Sequence, residues 1–446
     1  MFKIFINAWR VQDIRKKLLF IFLLLLIYRF GSAIPLPGID IYALRDWRYG
    51  GAGAGVDVVQ TLFGMIMGGG LGSIFAMGIA PYITASIIMQ LLTYAIPKLS
   101  EMQKDGEDGR KKIGQITRYM AVGLAALQAS AMVFSYTNIH GTGENLFRYQ
   151  NMMVYSVAVL AMVTGTIFIM WLAELLTEKG IGNGASFLIF ANILSQLPMG
   201  IMVLVHQVRD PMTQSFSLTG ILLVLVVLAV FALIIAFVVA VHEGERRIPV
   251  QYSKGAAGGR SMFGNQSSYI PLKVNIAGVL SIIFAITILQ FPSMLIGFMP
   301  NLAGGTMDNI FGQNGILRIG GPAGPHWVGI LVYVLLIFVF THFYTSFAVN
   351  PVEMAENMKK NGGFIPGIRP GKPTSEFIQT TVNRLSWIGS VFYSLIALSP
   401  IILDVVTGIP TGFGGTTLLI VIGVALEFVK QLESQLLMRH YKGFLD

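Results

Sequence analysis

Cysteine is missing from all 446 residues, so disulfides and thiolate metal sites are excluded and the redox compartment is left open. Charge is scarce too. Asp, Glu, Lys and Arg make up 12% of the chain and apolar residues 54%, where a soluble domain carries roughly 25% charged residues. With a mean hydropathy of +0.68, that balance excludes a soluble globular protein and indicates one with many membrane spans. The six histidines form no ligand-spaced cluster. No Gly-rich phosphate loop, nucleophile elbow or paired-carboxylate site occurs, which argues against an enzyme and leaves no cofactor to expect.

Ionisable residues are also nearly missing from the centres of the apolar runs, where small-solute pumps and ion-coupled transporters usually keep them. Arg29, Glu174, Asp404 and Glu427 lie near predicted span ends, and His342 is the one central candidate. A lone histidine in a span is more often hydrogen-bonded packing than a proton relay.

What is present is a series of ten apolar stretches: 18–34, 74–96, 119–136, 152–176, 185–205, 218–241, 274–299, 327–349, 385–403 and 416–428. Each is read as a span, which takes about 20 helical residues. The sixth, 24 residues without a charge, is the clearest; the last is short, with Glu427 at its end and Lys430 and Glu433 just beyond. The first follows Arg15-Lys16-Lys17 and ends in Gly31-Ser32-Ala33, as a cleaved leader would. It is longer than a usual leader core and contains Arg29, so a retained helix is expected.

Basic residues set the orientation. With the N-terminus inside, twenty-five Lys and Arg fall on inner segments and five on outer ones (Arg45, Arg48, Arg148, Arg209, Arg318). The positive-inside rule then places both termini in the cytoplasm. Ten spans divide as five and five, about 1–210 and 211–446. An odd number of spans per half would force the second half to be inverted and put a pathway between them. The largest inner loops, about 242–273 and 350–384, are polar, Gly-rich and basic, and without further information are solvated positive-inside segments.

The chain is organised around residues 56–96. The three consecutive glycines Gly68, Gly69 and Gly70 make a weak helix interior, so a short apolar segment is expected to stop, turn and restart as the second span. Broken backbone at membrane depth survives only inside protein or around a water-filled cavity. The short piece is therefore either a stopper for a pore or a helix lying on the outer surface. Ile79 and Ile83, four apart on one face, with Thr84, Ser86 and Gln90 nearby, suit ordinary packing or an apolar constriction that closes a pore by excluding water.

Several stretches resemble the SecY/Sec61 family in its bacterial form. They are 75–88 (FAMGIAPYITASII), Gly109-Arg110-Lys111-Lys112 with Thr117-Arg118-Tyr119, and Glu178-Lys179-Gly180-Ile181-Gly182-Asn183-Gly184. Further on come Arg246-Arg247-Ile248, Pro271-Leu272-Lys273-Val274-Asn275, 364–371 (FIPGIRPG) and Phe413-Gly414-Gly415-Thr416. They fall in family order from end to end.

The resemblance implies an all-α membrane protein of ten transmembrane helices, two inverted five-helix halves around a central pore, with a short plug helix after the first span. It implies a protein-conducting channel of the general secretory pathway, in the bacterial plasma (inner) membrane, that also releases membrane helices sideways through a lateral gate. The pore ring would be Ile79, Ile83, Ala185, Ile189, Ile283 and Ile420, with Ala185 smaller than the family's usual aliphatic. The plug would span about 58–71, with Val58, Val59, Leu62, Phe63, Met65, Ile66 and Met67. Asn275 would be the polar gate residue, with Thr84, Gln90 and Gln128 across the seam. Arg246, Arg247, Lys254, Arg260 and Arg369 would dock the SecA motor and the ribosome. Implied partners are SecE, SecG, SecA, the ribosome, signal sequences, nascent polypeptides and membrane lipid, but no DNA. An ion-coupled small-solute transporter with broken helices is the alternative from a different class; a pure membrane scaffold is a third.

Overall fold

The structure, a computed structural model, describes residues 6, 8–40, 72–137, 146–195, 218–252, 268–274, 276–296, 306–311, 315–317, 319, 325–407 and 415–442. The first half contains α1 (Gln12–Ala33), α2 (Ala80–Ala95), α3 (Pro97–Lys104), α4 (Glu107–Thr137), α5 (Met152–Lys179) and α6 (Gly184–Ser195). The second half contains α7 (Leu218–Glu243), β1 (Glu245–Tyr252), β2 (Ser268–Lys273), α8 (Leu280–Ile296) and α9 (Thr306–Phe311). It continues with α10 (Trp327–Ala348), α11 (Pro351–Lys360), β3 (Gly363–Phe364), α12 (Lys372–Thr407) and α13 (Gly415–Lys442). Among the described residues five helices are long and apolar enough to cross a bilayer, or six if the bent pair α2–α3 counts as one.

Local chemistry sets several boundaries. Pro81 sits in the first turn of α2, where a missing N–H costs nothing. At the other end Ile96 is held extended ahead of Pro97, and the chain bends by 106° into α3. Asn151 caps α5 by accepting from the Met153 amide, and Asn350 caps α11 by accepting from Glu353. Buried hydroxyls inside the helices bond back to their own backbone: Thr84 to Ala80, Thr166 to Met162, Thr287 to Ile283 and Thr341 to Ile337.

Several helices outrun their apolar stretches. α4 begins at 107 rather than 119, α12 at 372 rather than 385, and α13 continues to 442 rather than 428. Helix needs no apolar environment to continue, and pairs such as Lys111–Glu107 (3.8 Å) sit on the projecting turns. α2 and α8 are shorter than expected, starting at Ala80 and Leu280 instead of 74 and 274. Gly78 (φ +52°) and Gly278 (φ +61°) lie just before these starts in the left-handed region, which delays the helix.

An all-α fold is corrected by a three-stranded antiparallel sheet ordered β2-β1-β3. It forms from the two loops expected to be simply polar. Alternation in β1 was the missed signal: Ile248 and Val250 are buried while Arg247 and Pro249 face out. Ile248, Val250 and Leu272 pack on Met358 of α11, Ile365, and Ile378, Val382 and Leu385 of α12, so both loops share one small core.

Helix neighbours recur in the two halves. α2 packs on α4, α4 on α5 and α5 on α1; correspondingly α8 packs on α10, α10 on α12 and α12 on α7. The lead-in to α2 is wedged into the first half: Phe75 stacks between Tyr28 of α1 and Phe168 of α5, each at 5.9 Å. Gly31 leaves room for the Phe75 ring and Gly165 for the Ile74 carbonyl, where a Cβ would collide. Gly165→Val is therefore expected to cost about 1–3 kcal/mol through overpacking. A lowered thermal midpoint of the detergent-purified protein would show it, and an unchanged midpoint would mean the lead-in yields.

Candidate functional site

Glycines precede the helices that carry the expected ring. Ile83 follows Gly78 by five residues, Ile189 follows Gly184, Ile283 follows Gly278 and Ile420 follows Gly415. These four isoleucines and Ile79 are buried in one hydrophobic cluster, with Ala185 half-buried against it. The start of α6 is capped by Asn183, whose Oδ1 accepts from the amides of Ala185 (3.0 Å) and Ser186 (3.3 Å). The Gly184 amide donates to Thr177 Oγ1 at 2.9 Å, and a Cβ on Gly184 would strike the Ala173 carbonyl, so α6 starts hard against α5.

Val279 is absent from the residues expected from sequence, yet it takes on α8 the place Ile79 holds next to α2. Each follows a left-handed glycine, and each carbonyl accepts an amide four residues on: Ile83 to Ile79 at 3.1 Å, Ile283 to Val279 at 3.2 Å. The equal glycine-to-isoleucine spacing is the signal that could have found it.

The halves meet along two lines. On one, α8 touches α2 and α4 sparsely. On the other, Phe187 of α6 packs edge-on to Phe428 of α13 at 5.0 Å, and Lys17 Nζ donates to Gln435 Oε1 at 3.4 Å. Of the expected gate residues, Thr84 donates to the Ala80 carbonyl and Gln90 Nε2 to Ser86 Oγ at 3.4 Å, both within α2. Gln128 is half-buried on α4. Asn275 lies outside the described residues, as do the expected plug from Val58 to Met67, Lys254 and Arg260.

The folded loop unit presents the basic candidates. Arg246, Arg247 and Arg369 are exposed. Arg247 lies over the Tyr269 ring at 4.9 Å and donates to Glu245 Oε1 at 2.7 Å; that hydrogen bond raises its already high pKa. Arg369 sits in a turn with Gly367 (φ +82°) and Gly371 (φ +101°), its carbonyl accepting from Thr374 Oγ1 at 2.9 Å. The neighbouring Ile365 is buried in the core that also holds β1, so arginines from both loops ride on one body.

His342 is half-buried, with Nδ1 at 3.0 Å from the Phe338 carbonyl and its ring edge-on to Trp387 at 4.9 Å. Its Nε2 has no hydrogen-bond partner among the described residues. Glu174 pairs with Arg118 at 2.7 Å across α5 and α4. No group of three or more His, Cys, Asp or Glu able to hold a metal occurs among the described residues. What the geometry brings together is one buried aliphatic cluster that holds Ile79, Ile83, Ile189, Ile283 and Ile420.

Comparison with known proteins accounts for this arrangement. The family model SecY matches residues 73–429. The chain belongs to the SecY family. It is 42% identical over 457 residues to a protein translocase subunit SecY of Streptomyces galbus, covering 100% of both chains. It is 41% identical over 453 residues to that of Bacillus subtilis (strain 168), again covering 100% of both. Among solved structures the fold resembles a SecY protein whose plug domain stabilises the closed state of the translocation channel and maintains a membrane seal. That match has a TM-score of 0.61, 16% identity, and covers 92% of this chain and 90% of the other. Sec61 in the canine ribosome-channel complex from the endoplasmic reticulum matches with a TM-score of 0.59 and 16% identity, covering 93% and 90%. The chain is thus a multi-pass membrane protein, a protein-conducting channel of the Sec translocon and not an enzyme.

A ring that seals by excluding water should fail when it is made polar. Ile283→Asn in the reconstituted channel is expected to pass a resting ion current in planar bilayers where the unaltered protein is silent. Equal silence would remove Ile283 from the seal.

Proposed function

We propose that the chain forms ten spans in two inverted halves, 1–210 and 211–446, around a pore closed by Ile79, Ile83, Ala185, Ile189, Ile283 and Ile420. A plug at about 58–71 backs that ring on the outer side. Unfolded secretory polypeptides pass through the ring, and apolar signal and membrane helices leave sideways between α2 and α4 on one side and α8 and α10 on the other. The observation that carries this reading is the five-residue glycine-to-isoleucine spacing at four helix starts, with all four isoleucines in one buried cluster. The matching neighbour order of the two halves supports an internal repeat.

Its bacterial relatives support a place in the bacterial inner membrane, and the distribution of its basic residues supports both termini in the cytoplasm. Arg246, Arg247, Lys254, Arg260 and Arg369 then face the cytoplasm as the docking surface for the SecA motor and the ribosome. SecE and SecG are the expected companion subunits. Contacts from this surface to ribosomal RNA phosphates would weaken as salt rises, through counterion release.

Because the chain has no cysteine, Ile83→Cys and Ile283→Cys give clean probes. Each is expected to crosslink to a cysteine in a stalled secretory chain, while a lipid-facing control such as Leu222→Cys does not. If neither crosslinks above that control, the pore assignment is wrong. Arg369→Glu should slow motor-driven export by about tenfold or more, the scale of reversing a charged interface contact, with the chain still at normal levels in the membrane. Export equal to that of the unaltered protein would take Arg369 out of the docking surface.

A further inference from the structure

Tyr94 is 77% exposed, and it ends α2 in an unusual setting. One residue later the helix stops, and the chain turns by 106° at Pro97. Its ring lies edge-on to Phe343 of α10, centroids 5.7 Å apart and planes at 83°. α2 belongs to the first half and α10 to the second, so this contact crosses the line between them. Among the described residues it is the one ring contact joining α2 or α4 to α8 or α10.

On the α10 side the neighbouring rings are engaged elsewhere. Phe340 and Tyr344 stand edge-on to Phe284 of α8 at 5.6 and 6.2 Å, and His342 to Trp387 of α12 at 4.9 Å. These contacts tie α8, α10 and α12 into one body and leave Phe343 reaching across to α2.

On the α2 side, Ser86, Gln90 and Tyr94 recur every four residues and share a face. Gln90 is bonded to Ser86, and the Thr93 hydroxyl to the Met89 carbonyl. On α10 the hydroxyls of Thr341, Thr345 and Ser346 likewise bond to carbonyls of their own helix. These bonds run within each helix and do not cross the seam. Among the described residues the aromatic pair is the ring contact that joins α2 to α10 there.

We infer that Tyr94 and Phe343 form a clasp at the inner mouth of the lateral opening, setting how apolar a signal helix must be to part it. The inference rests on the lateral-gate reading above. An edge-to-face pair is attractive but small, and an apolar helix sliding between the rings replaces it with comparable contacts. A less apolar helix offers less in exchange and is turned away. Tyr94 lies close to the interface, where an amphipathic ring is at home.

The test is export in vesicles carrying the full channel complex, using one substrate with its normal signal and one whose signal core has two leucines changed to alanine. Tyr94→Ala or Phe343→Ala should raise export of the weakened substrate by about fivefold, the scale of one aromatic pair. Normal-signal export should stay the same. The double variant should do no more than either single one, since each already removes the shared contact. Tyr94→Phe, which keeps the ring, should behave as the unaltered protein. Additive single effects, or weak-signal export unmoved in every variant, overturn the clasp. Signal crosslinking to Thr84→Cys separates the two readings. If that crosslink forms while the clasp variants are silent, the clasp alone fails. If the signal never reaches Thr84→Cys, the gate reading fails and takes the clasp with it.

Discussion

Backbone that leaves helical geometry inside a bilayer must find hydrogen bonds from protein, because lipid offers none. The lead-ins to α2 and α8 are such backbone, and their surroundings answer that demand. In the stretch before α2, Ala76 donates to Ser73, Gly78 to Phe75 and Ala80 to Met77, while Leu36 donates to Gly72 and Ile74 to Ile34. Before α8, Val274 donates to Gly244. Glycines on neighbouring helices bring those neighbours close enough to wrap the turn, as Gly31 and Gly165 do around Phe75 and Ile74. The short helices, and the isoleucines they carry, depend on that wrapping.

A closure built this way relies on shape and dryness. The proposed ring is aliphatic and carries no charge that would select among polypeptides. The same economy runs through the spans, where hydroxyls turn back on their own helices and Arg118 neutralises Glu174. His342, the central candidate in the sequence, is held by a carbonyl of its own helix and a T-shaped contact with Trp387. A proton relay would need a chain of such groups.

The two lines of contact between the halves differ in kind. The Phe187–Phe428 pair and the Lys17–Gln435 bond tie α6 and α1 to α13. The opposite line is sparse, with α8 against α2 and α4 and the Tyr94–Phe343 contact near one end. Meanwhile the basic unit built from β1, β2, β3, α11 and the start of α12 is packed directly onto the second half through Leu385 and its neighbours. A partner pulling on Arg369 would therefore pull on a folded body continuous with α12, not on a free loop.

Sequence alone determined the membrane character, the apolar runs and the family, because each is written in consecutive residues. A run such as 218–241 needs no partner to be recognised, and motifs such as 364–371 are contiguous. It also placed Ile79, Ile83, Ile189, Ile283 and Ile420 as candidates that share one buried cluster. Tertiary structure decided the rest. The sheet escaped notice because its strands lie in separate loops and its core is completed by Met358, Ile378 and Val382 from helices far along the chain. The late starts of α2 and α8 turn on two glycines that adopt the left-handed backbone, which sequence does not reveal because glycine tolerates either hand. The equivalence of Val279 with Ile79 appears once both turns are seen to fold alike. Tyr94 and Phe343 lie some 250 residues apart in sequence, and no local pattern marks either ring. Contacts of that separation are fixed by how whole helices settle against one another, which is information the chain holds only when folded.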